Sequence, residues 1–224
     1  MICALLETQN LANRTDMTIA RFFAAALAAL FIAAGPAVAA VQPAKLTPQD
    51  QADLRRVEQY LGSLTTVRAD FVQTTDNADL VRGHFYLKRP GKMRLEYEPP
   101  ISYMYIADGT WLTYYDAELR QRSDVLLGST IADFITRANV RLSGDVTVTG
   151  LSRGNNLLSV QLVQTDKPDE GRLTLNFTTT PILLQSWVVV DAQGTVTQVD
   201  LTGLQPGVDL ENSLFVVPRG RNTH

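Results

Sequence analysis

Residues 83–97 read Gly83-His84-Phe85-Tyr86-Leu87-Lys88-Arg89-Pro90-Gly91-Lys92-Met93-Arg94-Leu95-Glu96-Tyr97. The pattern is two β-strands about a tight turn. Side chains alternate across a strand, so Gly83, Phe85, Leu87 and Arg89 share one face while His84, Tyr86 and Lys88 share the other. Pro90-Gly91 supplies the turn, because proline presets φ and glycine tolerates positive φ. The second strand sets Met93, Leu95 and Tyr97 against Lys92, Arg94 and Glu96, a half-buried pattern. One face of the hairpin is oily, and a single guanidinium, Arg89, ends it.

Outward from this hairpin the same period persists. Val67, Ala69 and Phe71 alternate with Arg68, Asp70 and Val72 before it, and Asp76-Asn77-Ala78-Asp79 turns between them. After it, Pro99-Pro100 breaks the chain, a strand follows over 102–107, and Asp108-Gly109 makes a hairpin turn into 111–115. A strand or loop continues over 119–123. Residues 127–137 then switch to helical spacing, with Ile131, Phe134 and Ile135 as the apolar face and Ser129 or Thr130 as cap. Beyond Ser143-Gly144, strands are expected over 146–151, 157–163, 172–177, 182–190 and 196–204, with a last short strand over 213–216. Upstream, Thr47-Pro48-Gln49-Asp50 is a strong helix start, and Leu54, Val57, Leu61 and Leu64 make an apolar stripe opposite Asp53, Arg55, Arg56, Glu58 and Gln59. The order is helix, six strands, helix, five strands, without repeat or linker. So long an antiparallel sheet must curl, into a barrel or into an unclosed one with helices over its open side.

The 224 residues are 45% hydrophobic and 19% charged, with a net charge of −3. This suits one globular domain with a true core and gives no basic field for nucleic acid or anionic lipid. The start of the chain reads as an address. Arg21 precedes an apolar run over 22–34, Gly35-Pro36 breaks it, and Ala37-Val38-Ala39 has the small-x-small form of a signal-peptidase site. The run is shorter than the roughly 20 residues a spanning helix needs. Residues 1–39 are therefore expected to be an extension and cleaved signal peptide, with Met17 the more natural start, and residues 40–224 the mature domain. Cleavage would discard Cys3, the only cysteine, leaving no thiol and no cysteine to be lipidated at the new terminus. A soluble, monomeric, exported protein is the expectation.

Chemistry has little support. His84 is the only internal histidine, so no multi-histidine metal site is expected. There is no nucleophile elbow and no phosphate-cradling glycine loop. Glu96 and Glu98 lie on one side of a strand without an evident partner and read as a solvated face. The aromatics Phe71, Phe85, Tyr97, Tyr103, Tyr105, Trp111, Tyr114, Tyr115 and Phe134 either fill a core or line a cavity. A curved sheet encloses more room than its side chains fill, which favours the cavity. Arg89 is either an exposed strand-end residue or sits at an opening, since a buried unpaired guanidinium is too costly for a solid core.

The sequence as a whole resembles the LolA family, the periplasmic outer-membrane lipoprotein carriers. The residues that carry the resemblance are Asp70-Phe71-x-Gln73, Gly83-x-Phe85-x-Leu87-x-Arg89-Pro90, Asp108-Gly109-Thr110-x-Leu112, Tyr115-Asp116-x-Glu118-Leu119, Val190-Asp191-x-x-Gly194-x-Val196 and Leu214-Phe215-x-Val217-Pro218. The resemblance implies an α+β fold: an unclosed antiparallel β-barrel under a helical lid, enclosing a hydrophobic cavity for lipoprotein acyl chains. It implies loading by an inner-membrane LolCDE transporter, delivery to the outer-membrane acceptor LolB, and no cofactor or catalysis. Cavity residues would be Phe71, Phe85, Leu87, Met93, Leu95 and Tyr97 from the first strands. Tyr103, Tyr105, Trp111, Ile131, Phe134 and Ile135 would complete the set. Arg89 would bond lid backbone and hold the carrier shut. Met93 stands where the family commonly has an aromatic. Rival readings are a carrier of phospholipid, glycolipid or hopanoid, a lipid-sensing regulator of the RseB type, and a secreted hydrolase, the last disfavoured by the missing nucleophile–base pair.

Overall fold

A computed structural model describes residues 41–75 and 80–218. Helix α1 (Pro48–Ser63) opens on a capping box in which Thr47 and Asp50 satisfy each other's backbone N–H groups, and it buries Leu54, Val57 and Leu61. Six strands follow: β1 (Thr66–Thr75), β2 (Leu80–Lys88), β3 (Lys92–Tyr97), β4 (Tyr103–Asp108), β5 (Trp111–Asp116) and β6 (Gln121–Leu126). After a 3-10 turn at Leu127–Ser129 comes the short helix α2 (Ile131–Thr136). Five more strands complete the chain: β7 (Val146–Gly154), β8 (Leu157–Gln164), β9 (Gly171–Thr179), β10 (Ile182–Asp191) and β11 (Val196–Pro206).

All eleven strands form one antiparallel sheet in the order β6-β5-β4-β3-β2-β1-β11-β10-β9-β8-β7. Every neighbouring pair but one is a hairpin. The exception is the central pair, where β1 meets β11 and Phe71 faces Leu201. Edge strands β6 and β7 do not pair with each other, so the barrel is unclosed, the second of the two forms so long a sheet can take. The chain crosses from one edge to the other through α2. A single buried apolar cluster fills the concave side, drawing on α1, α2 and the inward residues of both sheet halves.

Two glycines are needed where they stand. Gly91 has φ +78° in the hairpin turn, a region open to glycine at little cost. Gly83 lies under the Phe71 ring: a Cβ there would fall 2.6 Å from Phe71 Cζ and 2.1 Å from the Glu96 carbonyl oxygen.

Three expectations change. The stretch expected as a last strand is a 3-10 turn at Asn212–Phe215. It is held by cations from the outer face of the β2–β3 hairpin instead of by a ladder: Arg94 donates to the Leu214 carbonyl at 3.1 Å and Lys92 to Asn212 at 3.0 Å. Asp53, expected on the polar face of α1, is only 4% exposed, because Arg153 at the end of β7 reaches it at 2.6 Å and Asp50 at 2.7 Å. Glu96 and Glu98 do have partners, Arg94 at 3.0 Å and His84 at 3.9 Å. The expected leader and the turn over 76–79 lie outside the described residues.

Candidate functional site

The site begins at the oily face of the β2–β3 hairpin. Strand period places Arg89 beside Phe85 and Leu87, at the mouth of the concave side. There its guanidinium meets two helix ends. Nε and Nη2 donate to the Ile135 carbonyl of α2 at 2.9 and 2.8 Å, and Nη1 donates to the Leu61 carbonyl of α1. The last carbonyls of a helix lack the usual partner within it; Arg89 supplies one to Ile135 and a second donor to the Leu61 carbonyl, which also accepts from the Leu64 N–H at 3.3 Å, so one arginine joins the ends of two helices. The turn adds another bond: the Gly91 N–H donates to the Thr136 carbonyl at 2.7 Å. Burial pushes the Arg89 pKa down to about 10, while donation to carbonyls favours the charged form, so the group is a cation at neutral pH. On its far side α2 is tied by Arg137, which pairs with Asp133 at 2.7 Å and with Asp145 ahead of β7, and lies 5.6 Å from the Phe134 ring centre.

Beneath the helices are two apolar chambers. The one under Arg89, about 20 Å³, is walled by Leu61, Val67, Phe85, Leu87, Phe134 and Leu184 among others. The second, about 80 Å³, is walled by Met93, Leu95, Tyr97, Tyr105, Ile131 and Val199 among others. Ile135 and Trp187 wall both, so α2 and one indole are the partition. One water needs roughly 10–15 Å³ of such space, so with α2 down the first chamber has room for about one water and the second for a few. At the far end of β1 an open groove of about 640 Å³ runs past Gln73, Arg82, Glu98, Pro100 and Tyr103. Among the described residues no three of His, Cys, Asp or Glu stand together as a metal site, and no helix is long and apolar enough to cross a membrane.

The family profile described as "Outer membrane lipoprotein carrier protein LolA" matches residues 62–218. The chain belongs to the LolA family. An outer-membrane lipoprotein carrier protein of Methylobacillus flagellatus is 30% identical over 174 residues, 72% of this chain and 83% of that protein. One from Methylococcus capsulatus is 26% identical over 180 residues, 77% of this chain and 84% of that protein. A solved LolA superfamily protein from Nitrosomonas europaea aligns at 15% identity and TM-score 0.46, over 75% of this chain and 97% of that one.

Of the residues that resemblance to the LolA family named, Phe85, Leu87, Met93, Leu95, Tyr97, Tyr105, Ile131, Phe134 and Ile135 wall the chambers. Phe71 is buried behind them, edge-on to Tyr97 at 5.2 Å. Tyr103 sits in the outer groove, its ring 4.9 Å from that of Tyr97. Trp111 must be removed from the set. It is 42% exposed and faces Leu126 across the edge of the sheet. The β4–β5 register pairs the inward Ala107 with Leu112 and Tyr105 with Tyr114, so the inward phase of β5 leaves Trp111 outside. The expected cavity set contains no residue from the second half of the sheet, whose strands were expected but whose Leu173, Leu184, Val189 and Val199 wall the chambers with Trp187, whose ring stands 5.5 Å from that of Phe85. Alternation over 182–190 was the available signal; which face met the hairpin depended on the β1–β11 pairing.

Proposed function

We propose that this LolA-family chain is a periplasmic carrier. On this reading it takes lipoproteins from a LolCDE-type inner-membrane transporter, shields their acyl chains in the merged chambers, and yields them to a LolB-type acceptor at the outer membrane. The observation that carries the reading is Arg89, which ties two helix ends over a divided apolar crevice. Exposing acyl chain to water costs about 0.8 kcal/mol per methylene, so a lipid anchor needs a shield to cross an aqueous space. A carrier without an energy source must also let go. Bonds made only in the empty state oppose loading, and the affinity falls by the fraction of molecules that are open. Residues 1–39 are the export signal on this reading, and the mature protein is monomeric.

The test is isolation of the mature protein from the periplasm of a lipoprotein-producing host, with mass analysis of the chain and of what accompanies it. Triacylated or diacylated lipoproteins, released on mixing with acceptor-bearing membranes, are the expected cargo. Phospholipid, glycolipid or hopanoid in their place would make the protein a carrier of that lipid. An empty protein that takes up no acyl probe would end the carrier reading.

A further inference from the structure

The reading above says that acyl chains enter but not which way round they lie. It also leaves Gln73 unused, the polar residue that shares the Phe71 face in the Asp70-Phe71-x-Gln73 stretch. Among the described residues, Gln73 alone walls both the second apolar chamber and the outer groove. Its Oε1 accepts a hydrogen bond from the Tyr97 hydroxyl at 2.7 Å, so this pair stands between the crevice and the open groove.

The inward row of β1 changes character at this point. Val67, Ala69 and Phe71 are buried and apolar; Gln73 and Thr75 continue the same face, and Thr75 is opposite Thr197 of β11. A concave surface that is oily for most of its length and amide- and hydroxyl-bearing at one end matches a molecule built the same way. The length fits too. From Val67 to Gln73 the strand rises about 20 Å, and half of a bilayer's roughly 30 Å hydrocarbon core allows each chain about 15 Å.

We propose that the Gln73–Tyr97 pair is the seat for the carbonyl linkage of the bound acyl chains. The proposal rests on the carrier reading. The methyl ends lie under Arg89 and α1, and the ester or amide carbonyl lies at Gln73, with its attached polar group passing out into the groove beside Arg82 and Glu98. The Gln73 amide N–H is the donor a carbonyl needs, and the Tyr97 hydroxyl, donating to Gln73 Oε1, fixes the amide so that its N–H side is the one presented. The reverse orientation puts the carbonyl beneath Arg89. There Leu61, Leu64, Phe85 and Leu87 wall the chamber, and an attached polar group meets nothing like the groove beside Gln73.

Methyl esters of stearic acid carrying a nitroxide at carbon 5 or carbon 16 test the orientation in the whole mature protein. The carbon-16 label is expected to broaden the methyl signals of Leu87 and Val67, and the carbon-5 label those of Val199 and Val189. The opposite order, or equal broadening by both labels, overturns the proposal while leaving the carrier reading intact. Absence of binding by either ester, with the protein folded, removes the carrier reading and this one with it. A second arm compares an acyl ester with an alkyl ether of equal chain length. Gln73→Leu and Tyr97→Phe should each weaken the ester about threefold to tenfold and leave the ether unchanged. Equal loss for both ligands assigns the pair to packing alone and overturns the proposal.

Discussion

At the scale of the residue, Arg89 is decisive because its donors answer two helices at once. Arg89→Leu removes those charge-assisted bonds, each about 1.5–3 kcal/mol to break, and adds apolar surface to the crevice; both changes favour the open, loaded form. The variant should accept lipoprotein normally and release it to acceptor at least tenfold more slowly, accumulating as a loaded complex; transfer at the wild-type rate would refute the latch. Arg89→Lys is the sharper control, since one ammonium lacks the planar fork that serves Leu61 and Ile135 together, and its release should lie between the two. Gly83→Ala has a different expected effect. A methyl placed against the Glu96 carbonyl and the Phe71 ring overpacks the core by about 1–3 kcal/mol, which should appear as a melting temperature lower by several degrees, with an acyl-binding stoichiometry unchanged below it. Arg89 was legible in the sequence because a period of two is enough to put a charge on an oily face. Gln73 was visible in the same way, but nothing local says that it borders both a cavity and a groove.

At the scale of the element, α1 and α2 are fastened differently. Helix α2 is six residues long and hangs between Arg89 and Arg137. Helix α1 is riveted at its start, where Arg153 of edge strand β7 grips Asp50 and Asp53, and Arg56 adds a bond to Asp53 at 3.1 Å. Bonds from the Thr47 backbone and hydroxyl, then from Arg153, hold the Asp50 carboxyl below its usual range. Burial pushes Asp53 up, but Arg153, Gln49 and Arg56 together outweigh it and its carboxyl is also lowered. Carboxyls whose folded pKa is lowered contribute stability that is complete above the ordinary carboxylate range, near pH 4, and is lost as pH falls through their folded values. Arg153→Met should therefore lower stability at pH 7 and move the onset of acid unfolding to higher pH, read by urea melts between pH 2 and 7; an unshifted acid limb would show that the clamp contributes nothing. The helix itself was plain from its cap and stripe. That Asp53 faces protein was not, because the cation that makes its burial tolerable lies 100 residues further along the chain.

At the scale of the whole molecule, the closed form is a partitioned cavity, and its partition carries a reporter. Trp187 is buried between the chambers whereas Trp111 is exposed at the sheet edge. A brominated acyl chain that enters should quench Trp187 strongly and Trp111 little, so Trp187→Phe should abolish most of the quenching and Trp111→Phe should spare it. Comparable quenching in both variants would place the chain elsewhere. Hairpins and turns made the eleven strands and their chain order readable from sequence, with one strand too many at 213–216, yet the joining of the two halves was not, since β1 and β11 are far apart in the chain and share no turn. That pairing has a kinetic consequence. Each half can zip from its own hairpins, with loops of a few residues to close, but Phe71 finds Leu201 only across a separation of 130 positions in the chain, and the entropy of closing so long a loop must be met before the contact returns anything. Pulsed hydrogen exchange during refolding should find the amides between β1 and β11 protected last, after those of the β2–β3 and β8–β9 hairpins. Because the crevice is walled from both halves, it comes into being only at that final step, and a chain whose halves are not yet joined has no place to put a lipid.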